Sequence, residues 1–464
     1  MRPSSSPSDP PPVAGSGGLF GAVLGRGSAA ARTSDVAVLG ALLDTEAALA
    51  RAHAAVGSAP AATAALIACA CEGDYDVAVI GAAAGASGNP VVPLVREIGH
   101  RLPTSATAYL HLGATSQDVM DTAWMLVARR SLTALDDDLA AVAGTLATLA
   151  DRHRDDVVTG RTLLQAATPT TFGLVAATWL TGVDGVRARL STVGATLPVQ
   201  LGGAVGTLAA TDLDDAGTAA LLAAFAAETG LAEPVLAWHA MRLPITDLAG
   251  ALGAVAGVAG TIAHDVVLSA QTEVAELRER APGRGGSSTM PHKANPIAAI
   301  SVRASAMRAP GLVATLFAAL DSEHQRAAGG WHAEWLPLRD LLCCTGSAVS
   351  WLRESLDSLV VDVERMRSGV EPTSAAEAVA GLLTPHLGRE AAHDLVARVA
   401  SAALADGRPF AQALVSDPQA AQLLDAGQVD RLLDPARADV GHAGLFVDRA
   451  LAAHAAPPPA EETP

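Results

Sequence analysis

The stretch TSDVAVLGALLDTEAALARAHAAVG, residues 33–57, decides the fold class. Polar side chains at its start can accept the free N–H groups of a first helical turn. Behind them Val, Leu and Ala recur at spacings of three and four, the period of a helix with one buried face, and a glycine stands at the end. The same character returns over residues 110–156, 168–193, 244–280 and 296–354. None of these segments alternates as a strand does, and none carries the glycine fingerprint of a nucleotide-binding sheet. The spacing therefore predicts an all-α chain: a bundle of long helices with its chemistry between the helices or on the links joining them.

Composition agrees. Half of the 464 residues are hydrophobic, yet aromatics make up only 3%, so the core must come from small side chains on closely spaced helices. The pattern divides the chain into a flexible N-terminal tail (1–18), an N-terminal helical domain (19–109), a central long-helix bundle (110–360) and a C-terminal helical domain with its own flexible tail (361–464). The alanine-rich central faces exceed what one slender bundle needs, which points to an oligomer. A net charge of −17 argues against a nucleic-acid surface but not against a small anionic substrate held by local cations. The proline- and serine-rich start lacks the apolar stretch of a secretion signal. LAGALGAVAGVAGTIA, residues 248–263, reads as a buried helix with glycines at its crossing points and not as a membrane span, because it is short and runs straight into His264 and Asp265. Cys69, Cys71, Cys343 and Cys344 form no zinc pattern and read as thiols of a reducing, cytoplasmic compartment.

Four polar islands interrupt the apolar pattern. HLGATSQDVMDT, 111–122, sets His111 before a helix start at which Thr115 and Asp118 can form a capping box, an arrangement that favours a bound carboxylate. GRTLLQAATPTTFG, 160–173, offers Arg161, Thr162 and Gln165 ahead of Thr168-Pro169, which reads as a helix start. GGSSTMPHKANP, 285–296, packs hydroxyl residues between glycines and prolines, with Asn295 placed to cap a helix from Pro296. Lys293, in that island, is the only lysine among 31 basic residues, which suggests a compact ammonium where a broad guanidinium does not fit. DSEHQRAAGGWHAEWLPLRD, 321–340, concentrates charge and aromatic surface without a metal-ligand spacing such as HExxH, and reads as a cleft wall or an oligomer contact.

Taken in order, GSSTMPHKANP, HLGATSQDVMDT and RTLLQAATPTTFG resemble the active-site regions of the fumarase/aspartase superfamily of homotetrameric lyases. With SDVAVLGALLDTEAALARAHAAVG, GNPVVPLV and EHQRAAGGWHAEW, the likeness is strongest to its bacterial 3-carboxy-cis,cis-muconate cycloisomerases. The resemblance implies a three-domain superfamily fold, a homotetramer with active sites shared between subunits, and no cofactor or metal. It implies an intramolecular carboxylate addition to a tricarboxylate substrate, giving 4-carboxymuconolactone within protocatechuate degradation by the beta-ketoadipate route. On it, Ser288 transfers the proton, with Ser287 beside it as the fallback, and Lys293 stabilises the enediolate-like charge with help from Asn295. His111, Thr115, Ser116 and Gln117 bind substrate carboxylates; Thr162 and Gln165, with Arg161, line the opposite side. His292 shapes the loop. One departure is Leu163, which stands where adenylosuccinate-lyase relatives carry a catalytic histidine, and leucine cannot exchange a proton. A fumarate-releasing lyase and a helical oligomer without catalysis remain the alternatives.

Overall fold

The computed structural model describes residues 18–280, 283–286, 290, 293–435 and 438–456. Ser287, Ser288 and His292, together with most of the N-terminal tail and of the final tail, lie outside the described residues. The chain is predominantly α-helical, with long central helices and two small two-stranded sheets. It divides into two compact units. One comprises Met1–Leu139, Val186–Gly260 and Ser301–Arg353; the other comprises Ala140–Gly185, Thr261–Ile300 and Glu354–Pro464. The helices Ser116–Arg152, Phe172–Ala195, Leu243–Ser269 and Gly330–Asp357 each contribute residues to both units.

In the first unit the helix Asp35–Ala55 forms where residues 33–57 place it. Ser34 is its N-cap, its hydroxyl accepting from Ala37 N at 3.3 Å, and Gly57 follows its end at φ +79°. Leu39, Leu42, Leu49 and Ala52 bury its inner face against the helices Ala61–Cys71 and Asp215–Thr229. Glu46 and His53 are buried among these apolar residues, and each has a polar partner, as buried polar groups require.

Leu243–Ser269 is the one helix among the described residues long and apolar enough to cross a membrane, yet 44% of its most apolar window is buried inside the protein. Leu248, Leu252, Val255, Ala259 and Ile262 recur along its buried face. At Gly253 and Gly260 an added Cβ would lie 3.1 Å from Val313 and 3.2 Å from Ala306, so both glycines mark close crossings, as the sequence pattern implied.

The second unit departs from that pattern in two places. Residues 168–171 are not the start of a helix. They end strand β2 (Gln165–Thr171), which pairs antiparallel with β1 (Val157–Thr162) around a bulge between Thr159 and Arg161. Pro169 faces Thr159 in this two-stranded sheet, where a missing N–H is tolerated because every strand is an edge. The helix starts at Phe172 instead, with the Thr171 hydroxyl accepting from Leu174 N at 3.1 Å. Residues 270–280 likewise leave the helix and end in β3 (Leu277–Glu279), paired with β4 (Leu359–Val361). Residues 296–354, which read as one helix, resolve into Ile297–Ala306, Ala309–Ala318 and Gly330–Asp357. Pro310 stands in the first turn of the second of these, since it cannot continue a helix arriving from before it. Near the C-terminus Val379, Leu383, Leu395, Val399, Phe410, Leu414 and Val429 close a small core of their own.

Candidate active site

In the first unit the segment leading into Ser116–Arg152 carries His111, Thr115 and Ser116, all half-buried. His111 adopts a left-handed backbone, φ +59°, which is costly for a side chain with a Cβ and recurs at functional positions. Its Nδ1 donates to Glu46 Oε1 at 2.7 Å. Burial pushes the imidazole down, but the Glu46 carboxylate, by charge and by hydrogen bond, outweighs burial with help from Asp118 and holds His111 above the ordinary histidine value. A raised histidine stabilises the fold fully below its unfolded value, about 6.5, and that contribution fades as pH climbs through the folded value.

The capping arrangement expected at this helix start is present in its acidic arm. Thr115 N donates to Asp118 Oδ2 at 2.9 Å and Asp118 N donates to Thr115 O at 2.9 Å. Asp118 also accepts from Gly202 N, Gly203 N and His239 Nε2 at 3.0, 2.9 and 2.7 Å, tying the helix start to the following links. Gln117 faces the interior. It is fully buried, and its Nε2 donates to Asp121 Oδ2 at 3.2 Å and to the His239 carbonyl at 3.0 Å. Beneath it Arg242, 2% exposed, bridges two buried carboxylates. Its terminal nitrogens reach Asp121 at 2.6 and 3.0 Å, and Nη2 reaches Glu334 at 2.6 Å. Trp331 Nε1 donates to Asp121 at 3.0 Å. Part of the 321–340 island is thus a buried support.

In the second unit Thr162 and Gln165 pair across the two-residue turn of the β1–β2 hairpin, placing both candidate residues together. The turn is Leu163-Leu164, at φ +53° and +65°, with the two residues 97% and 74% exposed. Left-handed residues in such a turn are ordinarily Gly or Asn, so two exposed leucines there are held against local preference. Arg161 forks onto the buried Glu276 with bonds of 2.9 and 2.6 Å, which engages both of its terminal nitrogens.

Asn295 pinches the base of the Lys293 segment. Its backbone N and its Nδ2 both donate to the Gly285 carbonyl, at 2.9 and 3.1 Å. Gly285 adopts φ +74°, and a Cβ there would come within 2.5 Å of the Asn295 carbonyl oxygen, so only glycine fits. Lys293 is exposed, and its backbone N donates to Met290 O at 3.0 Å. The expected helix cap is a different residue. Glu279, at the end of β3, accepts from Ala298 N at 3.0 Å and Ala299 N at 2.8 Å, and from the Ser355 hydroxyl at 2.6 Å. A carboxylate here satisfies two free N–H groups and complements the helix dipole, whereas the Asn295 amide is already committed to Gly285. Glu279→Ala is expected to cost about 1 kcal/mol in a urea unfolding midpoint and to speed amide exchange at the start of the Ile297–Ala306 helix.

Comparison with known proteins places these segments. The family model described as Lyase matches residues 26–311, and the one described as Adenylosuccinate lyase C-terminus matches residues 372–450. The chain belongs to the fumarase/aspartase superfamily. Among its superfamily relatives, the 3-carboxy-cis,cis-muconate cycloisomerase of Pseudomonas aeruginosa is 44% identical over 91% of this chain and 93% of its own. The nitrosuccinate lyase of Streptomyces davaonensis is 41% identical over 91% of each chain. The crystal structure of the 3-carboxy-cis,cis-muconate lactonizing enzyme from Pseudomonas putida superimposes with a TM-score of 0.86 at 38% identity, covering 94% of this chain and 98% of that one.

The folded chain also shows supporting residues that the sequence pattern left unmarked. Glu46, Asp121, Arg242, Glu276 and Glu279 were not named from sequence, yet each bonds to a candidate segment or to its support from a distant part of the chain, as do Asp118 and Glu334, which the polar islands had already marked. Several of them carried a local signal: a lone acid or arginine inside an otherwise apolar helical run calls for a buried partner.

Proposed function

We propose that this protein converts 3-carboxy-cis,cis-muconate into 4-carboxymuconolactone, in the cytoplasm, as a homotetramer whose active sites are shared between subunits. The observation that carries this reading is the 44% identity to a 3-carboxy-cis,cis-muconate cycloisomerase along nearly the full length of both chains. The three-part division of the chain at residues 109 and 360 belongs to the same reading.

The reaction assigns the roles. One carboxylate oxygen of the substrate adds to the double bond beta to a second carboxylate, and negative charge develops on that second group as an enediolate. Lys293 supplies the compact cation there, assisted by Asn295, and Ser288 delivers the proton to carbon, with Ser287 as its neighbour. His111, Thr115 and Ser116 orient the remaining carboxylates, with Gln117 held behind them and Thr162, Gln165 and Arg161 lining the other side. Because nucleophile and alkene are tethered, no leaving group needs a proton, and a leucine at position 163 costs the reaction nothing.

A second reading draws on the nitrosuccinate lyase relative. Loss of nitrite from nitrosuccinate also needs no general acid, because nitrite departs as a stable anion and leaves fumarate. Leu163 therefore fits both reactions and disfavours those whose leaving group must be protonated.

The test is direct. Purified protein is expected to bleach the ultraviolet absorbance of 3-carboxy-cis,cis-muconate with formation of the lactone, at a rate a chelator does not change. Absence of turnover between about pH 6 and about pH 9 by folded, assembled protein, a range in which an ordinary histidine (about 6.5) loses its proton while an ordinary lysine (about 10.4) stays charged, would remove the assignment.

A further inference from the structure

The helix Asp35–Ala55 bears two buried polar side chains, Glu46 and His53, two turns apart on one face, and both grip the segment that carries His111. Glu46 holds the His111 ring through Nδ1. His53 holds the backbone of the next residue: its Nε2 donates to the Leu112 carbonyl at 3.0 Å, while its Nδ1 meets the Ser58 hydroxyl at 2.8 Å. Burial pushes His53 below the ordinary histidine value despite the Leu112 carbonyl, so at neutral pH it serves as a neutral clamp.

Among the described residues Glu46 forms one ion pair, with His111. Its side chain is fully buried, and Oε2 has no hydrogen-bond partner among the described residues. The other charges on its helix are engaged elsewhere, Asp44 with Arg130 and Arg51 with Glu228, each at 2.6 Å, and Asp35 with Arg339 at 3.6 Å. Its buried neighbour Cys71 is neutral: burial, then the Glu46 charge, push that thiol up to about 12. From the following helix, Asp118 also faces His111 but is already bonded to His239 and to three backbone N–H groups. A carboxylate buried this deeply is held by a paired cation, and the imidazolium of His111 is the one in reach. The second ring nitrogen of His111 has no partner among the described residues, and the ring is 20% exposed.

We infer that Glu46 is a positioning residue for His111: through Nδ1 it fixes the ring and keeps it cationic, so that Nε2–H is presented to a substrate carboxylate while His53 anchors the backbone beside it. This rests on the reading of His111 as a carboxylate-binding residue and adds the group that makes it one.

Glu46→Gln tests it, because the amide keeps the shape and can still accept from Nδ1 while losing the charge. With 13Cε1-labelled histidine and the His111 resonance assigned by its loss in His111→Gln, the titration midpoint of His111 is expected above about 6.5 in the parent protein and lower in Glu46→Gln. The specificity constant for 3-carboxy-cis,cis-muconate at pH 7.5 is expected to fall about tenfold, mostly through KM, as a charged hydrogen bond becomes a neutral one. The alkaline limb of the profile should shift to lower pH, and activity should return towards the parent value near pH 6, a recovery that a merely structural defect would not show. An unchanged midpoint in Glu46→Gln overturns the inference. So does a midpoint at or below about 6.5 in the unaltered protein, a result available even if the variant fails to fold. A shifted midpoint in a protein that does not turn over the muconate leaves the positioning intact and removes the proposed substrate.

Discussion

Lys293→Ala is expected to lower kcat for 3-carboxy-cis,cis-muconate by about a thousandfold, the scale seen when a group stabilising developing negative charge is removed. The fold is expected to stay as it was, because the residue is exposed and makes no ion pair with the described residues. Lys293→Arg does not restore the rate: a planar fork replaces a point charge in a segment whose base is closed by two bonds between Asn295 and Gly285. Steady-state kinetics beside size-exclusion chromatography check both halves of this expectation. Undiminished turnover in Lys293→Ala removes the lysine from the assigned role.

Arg242→Ala is expected to destabilise the protein by about 3–5 kcal/mol, read from urea unfolding. The guanidinium is 2% exposed and joins Asp121 to Glu334, so truncation leaves two buried carboxylates facing one another without a cation. Burial already holds the Glu334 carboxyl above the usual range even with Arg242 pulling it down, and the neighbouring Asp121 adds to that upward push. Without the arginine, acidification should recover part of the loss as a carboxyl takes up a proton. A change below about 1 kcal/mol would mean that the buried network contributes little. Because Gln117 hangs from the same Asp121, the variant should also weaken substrate binding in whatever folded fraction remains.

The fold was legible where local pattern and tertiary packing agree. Residues 33–57 carry their own cap, period and terminating glycine, and the helix forms as that pattern asks. The polar islands, too, were visible as breaks in an apolar chain. The β1–β2 hairpin was not legible, because its turn is Leu163-Leu164 and lacks the Gly or Asn that marks such turns. Thr168-Pro169 then mimicked a helix start that the strand pairing overrides. Asn295 stood where a cap belongs, yet Glu279 takes that place through chain pairing that local spacing does not encode. Glu46 is separated from His111 by 65 residues, and Arg242 from Asp121 by 121, so only the folded chain shows those pairs. What the sequence named were polar residues of the islands; the buried Glu46, Asp121, Arg242 and Glu276 that bond to or beneath them it left unnamed.

The reaction itself is tested by comparing two substrates on one preparation. Specificity constants for 3-carboxy-cis,cis-muconate and for nitrosuccinate are determined side by side, with products identified by proton NMR. Lactone is expected from the muconate at a kcat/KM of about 10⁴ M⁻¹s⁻¹ or more, in the ordinary enzymatic range, and at least about a hundredfold above that for nitrosuccinate. Fumarate and nitrite released from nitrosuccinate as the faster reaction, with no lactone formed from the muconate, would contradict it.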